Sequence, residues 1–132
     1  MLARLFDSDL GTTYARALLA IARADSEISP EEGEQLAACI AARCEEPPSL
    51  ADLLFEPTLT VDELAQTFRN ATAGGPFRST PIDPVDVAEA LVTDAVSIAL
   101  TKGHISDGEG ARLRRFADAL GLPQGSFEKL VP

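Results

Sequence analysis

The sequence predicts an all-α protein of six to seven helices, and three observations support this fold class. Alanine-rich stretches carry apolar residues at the three- and four-residue spacing of a helix face. The alternation of apolar and polar residues that marks a half-buried strand is nearly absent. Two of the stretches begin with Ser-x-x-Glu, the pattern of a helix capping box. Because 132 residues suffice for one hydrophobic core, we expect a single domain over residues 1–132.

Each predicted helix has a start or a stop signal. In chain order, the helices are expected over about residues 13–24, 30–46, 49–55, 60–73, 84–99, 106–120 and 123–130. Their N-caps accept hydrogen bonds from the first turn, and they are Ser29 with Glu32, Ser49, Thr60 with Glu63, Asp83, and Ser106 with Glu109. The stop signals are Pro47-Pro48, Gly74-Gly75-Pro76 and Gly121. Residues 74–84 are expected to form the longest loop.

The two capping boxes belong to an internal repeat. A shift of 77 positions, which carries Ser29 to Ser106, also places Ile28, Glu32, Gly33 and Leu36 on Ile105, Glu109, Gly110 and Leu113. Each half therefore has an apolar helix, a polar turn, an isoleucine before the N-cap and a capped second helix. We interpret this as a duplication that gives two pseudo-symmetric helix hairpins, over about residues 12–44 and 84–120, with an insert at 45–83. The alternative is a chance match between two capped, alanine-rich helices.

The composition argues against several classes of function. There are 11 Lys and Arg residues against 21 Asp and Glu, so the net charge is −10. A surface this acidic repels phosphate backbones and anionic lipids, which argues against nucleic-acid and simple membrane-surface binding. No apolar stretch reaches the roughly 20 residues that span a bilayer. Cys39 and Cys44 lack the spacing of a CxxC motif, and we expect buried or half-buried, reduced thiols in a cytoplasmic protein, with a disulfide as the alternative.

The first hairpin resembles a known family. Its segment ALLAIARADSEISPEEGEQL resembles the signature of TerB-type domains of bacterial tellurite-resistance proteins, in which an alanine-rich helix ends in Ala-Asp-Gly-Glu-Ile-Ser. A related domain of a membrane-anchored DnaJ-type co-chaperone looks similar. The segment AVSIALTKGHISDGEGARLRRFADALGLPQGSFEKL is similar to the family's second hairpin. The resemblance implies an all-helical domain of two related halves, with an acidic surface that holds divalent metal and a role in stress-response assemblies rather than catalysis.

The acidic turn of the first half is the candidate metal site. Asp25, Glu27 and Glu32 match the family's motif, and their carboxylates suit a hard cation such as Ca²⁺ or Mg²⁺. The alternative is a structural role in which Glu32 only caps its helix. The helix dipole also favours an acidic side chain in that N-terminal turn. Lys102 stands where the second half would carry an acid, so we expect no equivalent second site. Any metal binding is expected to be weak.

The sequence favours a non-enzymatic interaction or scaffold module with a protein partner, and a homo-oligomer stays open. One alternative is a small enzyme that uses His104 and a carboxylate such as Asp107 as acid and base in a cleft. Another is a purely structural subunit of an oligomer. The apolar residues of the insert are expected to cover the hairpins, with a partner groove as the alternative, and they are Phe55, Leu59, Phe68 and Phe77.

Overall fold

The computed structural model describes residues 8–24, 28–44, 47–55, 57–72 and 83–131. Seven α-helices lie in these ranges, which confirms the predicted all-α class. They are α1 (Ser8–Ala22), α2 (Pro30–Arg43), α3 (Leu50–Leu53), α4 (Val61–Thr72), α5 (Pro84–Ala99), α6 (Asp107–Ala119) and α7 (Gln124–Leu130), and a 3₁₀ turn (Leu100–Lys102) joins α5 to α6. Within the described part of the chain, none of the helices has the length and apolarity that crossing a membrane requires.

Several helix ends differ from the prediction. α1 begins five residues early because Leu10, only 3% exposed, extends the buried face of Tyr14 and Leu18 by one turn. α2 ends at Arg43, since Cys44 adopts an extended backbone conformation and caps the helix through its own N–H. Ser49 is the N-cap of the single turn of α3, as predicted, but its exposed side chain makes no capping hydrogen bond. Most of the predicted 74–84 loop lies outside the described residues.

The two long apolar helices, α1 and α5, form the centre of the fold. They contact each other, and each also contacts both α2 and α6. The first helix of each predicted hairpin therefore packs on the second helix of both hairpins. Each fully buried leucine contributes about 1.5–3 kcal/mol relative to exposure. The core includes Tyr14, Leu18, Leu36, Leu64, Phe68, Leu91, Leu113 and Phe116.

Equivalent residues of the two repeats meet at this centre. Leu18 and Ala95 correspond under the 77-residue shift, as do Ile21 and Ile98, and all four line one small cavity between α1 and α5. The isoleucine before each N-cap also packs in the same way, against a glycine in the first turn of the helix that follows. These shared contacts agree with a pseudo-two-fold relation between the hairpins.

The insert contributes to the same core. α4 contacts α1, α5 and α6, and its Leu64 and Phe68 are fully buried. Leu59, just before α4, is also buried. The core expectation is therefore confirmed for Leu59 and Phe68, but it was wrong for Phe55, whose side chain is exposed at the end of α3. Phe77 lies outside the described residues.

The two helix-interior glycines give a test of the repeat. A Cβ added at Gly33 would lie 3.9 Å from Ile28 Cγ2, and one at Gly110 would lie 3.7 Å from Ile105 Cγ2. Both are ordinary contact distances, so alanine at either position is expected to raise the free energy of unfolding by about 0.5–1 kcal/mol. Denaturant titration followed by circular dichroism measures the effect. Opposite signs for the two variants would contradict the equivalence of the two turns.

Gly121 is the matched control for those two substitutions. It follows α6 with φ of 87°, a left-handed conformation that costs an L residue about 1–2 kcal/mol. Gly121→Ala is therefore expected to destabilise the protein in the same titration.

Candidate functional site

The two predicted capping boxes are present and nearly identical in geometry. At the start of α2, the Ser29 Oγ accepts from the Glu32 N–H at 3.1 Å, and the Glu32 Oε1 accepts from the Ser29 N–H at 3.3 Å. At the start of α6, the corresponding distances for Ser106 and Glu109 are 3.2 and 3.1 Å. The N-cap backbones agree closely as well, with φ of −71° and −72°. Both capping predictions are therefore confirmed.

The two capping glutamates are also buried, and one lysine lies between them. Glu32 is 3% exposed and Glu109 is 2% exposed. The Lys102 Nζ, at the end of the 3₁₀ turn, lies 2.5 Å from Glu109 Oε1 and 3.9 Å from Glu32 Oε2. Glu32 Oε2 is buried and has no hydrogen-bond partner. The Lys102 ammonium therefore pairs with one buried carboxylate from each repeat. Such pairing offsets the free-energy cost of burying their charge.

A second buried polar cluster joins α1, α2 and α5. The Tyr14 hydroxyl donates to Asp94 Oδ2 at 2.6 Å, and the Arg43 guanidinium donates to both carboxylate oxygens of Asp94 at 3.1 and 3.2 Å. Burial, followed by the charge of Asp94, raises the pKa of Tyr14 well above its ordinary value. The hydrogen bonds to Asp94 raise the pKa of Arg43. The cluster therefore holds a charged pair and a protonated tyrosine.

Sequence reasoning missed this cluster, although one signal was available. Asp94 is a lone acid within the apolar run of α5, and an acid at such a position requires a partner from another helix. The sequence does not reveal which helix supplies that partner.

Both cysteines are free and buried, as predicted. The Cys39 Sγ lies 3.6 Å from the Ser97 Oγ, and burial raises the pKa of its thiol. Burial also raises the pKa of the Cys44 thiol to about 11. Neutral thiols are poor nucleophiles, so neither side chain has the character of a catalytic cysteine.

The raised pKa of Cys44 makes stability depend on pH. The folded protein holds the thiol proton up to about pH 11, whereas the ordinary value is 9.0. The stabilising contribution is therefore complete below pH 9.0 and is lost as the pH rises towards 11. We expect the melting temperature to fall across this window, and to fall less steeply in Cys44→Ala. Equal slopes in the two proteins would contradict the assignment.

Comparison with known protein families identifies the family of this chain. The family model described as tellurite resistance protein TerB matches residues 12–131. The chain belongs to the TerB family. No curated protein and no solved structure matched it. The resemblance seen in the two hairpins is confirmed, and the match also spans the insert that the motif comparison left unassigned.

The structure of this TerB domain describes only one of the three predicted metal residues. Asp25 and Glu27 lie outside the described residues, whereas Glu32 is buried in its capping box. Among the residues that the structure describes, no group of three or more His, Cys, Asp or Glu side chains is arranged to hold a metal ion. Glu32 and Glu109 thus form a carboxylate pair rather than a complete set of ligands.

The alternative acid–base residues lie on an exposed turn of the TerB domain. His104 and Asp107 are both exposed, one on either side of the Ile105-Ser106 cap. Exposure of these two side chains does not test the acid–base alternative, which stays a prediction.

A groove lies beside α3, and Leu59, one of the residues named for the partner-groove alternative, lines it. It is shallow and open to solvent, and it is lined by Arg16, Leu19, Ala20, Arg23, Leu53, Pro57, Thr58 and Leu59. The Arg16 Nη2 donates to the Pro57 carbonyl at 2.9 Å, and its Nη1 lies 3.5 Å from Glu63 Oε2. The Arg16 Nε is buried without a hydrogen-bond partner. The groove therefore combines apolar walls with two arginine side chains.

Proposed function

We propose that this TerB domain is a non-enzymatic interaction module of a stress-response system, and that it binds a protein partner through the α3 surface. We define that surface as Leu54, Phe55 and the groove beside them. The observation that carries the proposal is the exposure of Phe55, at 90%, next to Leu54 at 48%. Aromatic side chains contribute much of the binding energy at protein interfaces, so an exposed aromatic beside a second exposed apolar residue is a candidate contact for a partner.

The groove indicates the chemistry of the partner. Leu53 and Pro57 line it on either side of Leu54-Phe55 in the chain, so the exposed apolar residues and the groove are close in sequence. Arg16 and Arg23 line the groove with positive charge, and Arg23 is exposed. We expect the partner to be an acidic peptide segment with an apolar side chain that packs on Phe55. Nucleic acid is not the proposed partner, because the chain has a net charge of −10.

We also propose that the domain acts in the cytoplasm, and two observations support the non-enzymatic and cytoplasmic parts of the proposal. His104 and Asp107 are exposed, Asp94 is paired with Arg43, and Glu32 and Glu109 each use Oε1 in a capping box. The free thiols of Cys39 and Cys44 suit a reducing compartment.

Peptide display on the folded domain tests the α3 surface. We expect selection from a random dodecapeptide library to enrich acidic sequences with an apolar residue. Fluorescence anisotropy of a selected peptide is expected to show binding weakened at least about tenfold by Phe55→Ser and by Arg23→Glu.

Two matched substitutions control for exposure and charge. Leu100→Ser changes another exposed apolar residue, which is 49% exposed, and Arg115→Glu changes another exposed arginine. Both are expected to leave binding unchanged. Peptides that bind Phe55→Ser as well as wild type would contradict the proposed surface. A stable oligomer in analytical ultracentrifugation that Phe55→Ser dissociates would instead favour the structural subunit of a homo-oligomer.

A second candidate function is weak binding of Ca²⁺ or Mg²⁺ at Asp25, Glu27 and Glu32. The buried Glu32 Oε2, which lacks a hydrogen-bond partner, favours it. Titration of the metal-stripped protein, followed by ¹⁵N–¹H NMR, is expected to give saturable shifts at residues 24–34 that Glu27→Gln abolishes. Diffuse shifts without saturation would contradict this second function.

A further inference from the structure

We propose that the outer surface where α2 meets α5 is a second docking surface, and that it binds a basic helical segment of a partner protein. We define this α2–α5 face as Gln35, Ala38 and Ala42 of α2 with Thr93 and Ser97 of α5. The inference goes beyond the proposed function, because the α3 surface adjoins α1 and is proposed to bind an acidic segment. It is argued from the repeat, from the small exposed side chains of α2 and from acidic side chains at both ends of the face.

The repeat relates the α2–α5 face to the surface where α6 meets α1. The shift of 77 positions carries Gln35 to Arg112 and Ala20 to Ser97. Both cross-helix pairs are in contact, since the Gln35 Nε2 donates to the Ser97 Oγ at 3.2 Å and the Arg112 Nη1 donates to the Ala20 carbonyl at 2.8 Å. The two helix junctions are therefore bridged from the same positions of the repeat, and they are equivalent surfaces of the fold.

A helix already covers one of these two equivalent surfaces. α4 contacts both α1 and α6, and its Glu63 lies 3.5 Å from Arg16, the residue that corresponds to Thr93. On this covered side, the Arg16 side chain is 18% exposed and Ala20 is 3% exposed. On the other side, Thr93 is exposed and Ser97 is only partly buried. The positions that α4 covers in one half of the repeat are therefore open to solvent on the α2–α5 face.

The side chains of α2 indicate a partner helix unlike α4. α6 carries the buried Phe116 and Leu120 where α2 carries Cys39 and Arg43, and Arg43 is paired with Asp94. Polar groups thus close the junction of α2 and α5. The exposed positions outside this junction are mostly alanine, and they are Ala37, Ala38, Ala41 and Ala42. Side chains this small let a second helix approach closely but offer it little apolar area, so we expect charge to select the partner.

α2 and α5 run in opposite directions along this face. Gln35 contacts Ser97 near the end of α5, whereas Arg43 at the end of α2 contacts Asp94, which is earlier in α5. The start of α2 therefore lies beside the end of α5, and the start of α5 extends past the end of α2.

Acidic side chains consequently lie at both ends of the face. Glu31 and Glu34 are exposed at the start of α2, and Asp86 and Glu89 are partly exposed towards the start of α5. None of the four forms an ion pair with a described residue. At a rise of about 1.5 Å per residue, the two acidic ends are roughly 20 Å apart, or about three to four helical turns.

These charges favour a basic helix over a second copy of the chain. A helix with Lys or Arg at both ends of its contact surface places a cation near each acidic end. A second copy carries a net charge of −10, so this surface repels it.

Selection from a helical display library tests this surface. The probe is an alanine-rich helix of about five turns with random residues at both ends, selected on the folded wild-type domain. We expect enrichment of Lys or Arg at both ends, with the two groups of cations about three to four turns apart. In ¹⁵N–¹H NMR of the wild-type domain, a selected peptide is expected to shift residues 35–42 and 93–97 rather than the α3 surface.

Substitutions on the face test the binding of a selected peptide, measured by fluorescence anisotropy. Ala38→Arg places a bulky cation in the middle of the face, and it is expected to weaken binding at least about tenfold. The matched control is Ala111→Arg, which makes the same change at an exposed alanine of α6 and is expected to leave binding unchanged. The double variant Glu34→Gln with Glu89→Gln is expected to weaken binding about fivefold. Its control is Asp118→Asn with Glu128→Gln, which removes two exposed acids of α6 and α7.

Several outcomes would overturn the inference. They include a selection that yields no binder or only peptides without cations, full binding by Ala38→Arg, and an equal loss in Ala111→Arg. Shifts confined to the α3 surface would overturn it without contradicting the use of that surface by a partner. An oligomer in analytical ultracentrifugation that Ala38→Arg dissociates, and Ala111→Arg does not, would make the face a contact between copies of the chain and would also overturn it.

A second variant covers the case in which Ala38→Arg does not fold. Because Ala38 is exposed, Ala38→Arg is expected to keep the helical circular dichroism signal and melting temperature of the wild type. Thr93→Arg makes a similar change on the α5 side of the face, at another exposed position, and is expected to weaken binding to the same degree. Full binding by folded Thr93→Arg would contradict the proposal.

Discussion

Replacing Asp94 with alanine is expected to lower the free energy of unfolding by about 3–5 kcal/mol. The substitution leaves the Arg43 guanidinium without its carboxylate and removes the acceptor of the Tyr14 hydroxyl. The Asp94 side chain is only 9% exposed and that of Arg43 only 19%, so water cannot fully replace the lost partner. Urea titration at neutral pH, followed by circular dichroism, gives the free energy. A loss of this size would be a large share of the stability of a small domain.

Two control substitutions separate the stability lost with the Asp94 cluster from the stability lost when any acidic side chain is removed. Tyr14→Phe removes the hydroxyl alone and is expected to cost about 1.5–3 kcal/mol, because its hydrogen bond is to a charged acceptor. Asp118→Ala removes an exposed acid that lies 4.0 Å from Arg114 on the same helix, and it is expected to cost less than about 1 kcal/mol. If Asp94→Ala costs no more than Asp118→Ala, the cluster does not stabilise the fold.

The local features of this TerB domain were readable from the sequence. A capping box needs only a serine and a glutamate three residues apart, and both predicted boxes form. The same holds for α5 and its cap, Asp83, whose carboxylate accepts from the Val85 N–H. The repeat followed from these signals, because two caps with the same flanking isoleucine and glycine fix the register between the halves.

Contacts between residues far apart in the chain could not be predicted from such local sequence patterns. Tyr14 and Asp94 are 80 positions apart, and periodicity places each on its own helix without saying that they meet. The sequence marked Lys102 as a charge that opposes metal binding, but its position between two buried capping glutamates depends on how the hairpins pack. Burial in the insert was equally undetermined, since Leu53 is buried whereas its neighbours Leu54 and Phe55 are exposed.

Phe68→Ala is expected to lower the free energy of unfolding by about 3–5 kcal/mol. The Phe68 side chain is fully buried on α4, which packs against α1, α5 and α6. Truncation therefore leaves a cavity where the insert meets both hairpins, and neighbouring helices can close it only in part. Denaturant titration measures the loss, with the slope of the transition as a check on two-state behaviour.

Phe55→Ala is the matched control, because it makes the same truncation in the same insert. With 90% of its surface exposed, Phe55 has almost no burial to lose, so the change is expected to stay within about 0.5 kcal/mol. A large loss for Phe68 and none for Phe55 would establish that the insert serves both the core and a free surface. Similar losses would mean that Phe55 is buried by the folded chain in solution, and the α3 surface would then be unavailable to a partner. Small losses for both would mean that the hairpins fold without support from α4.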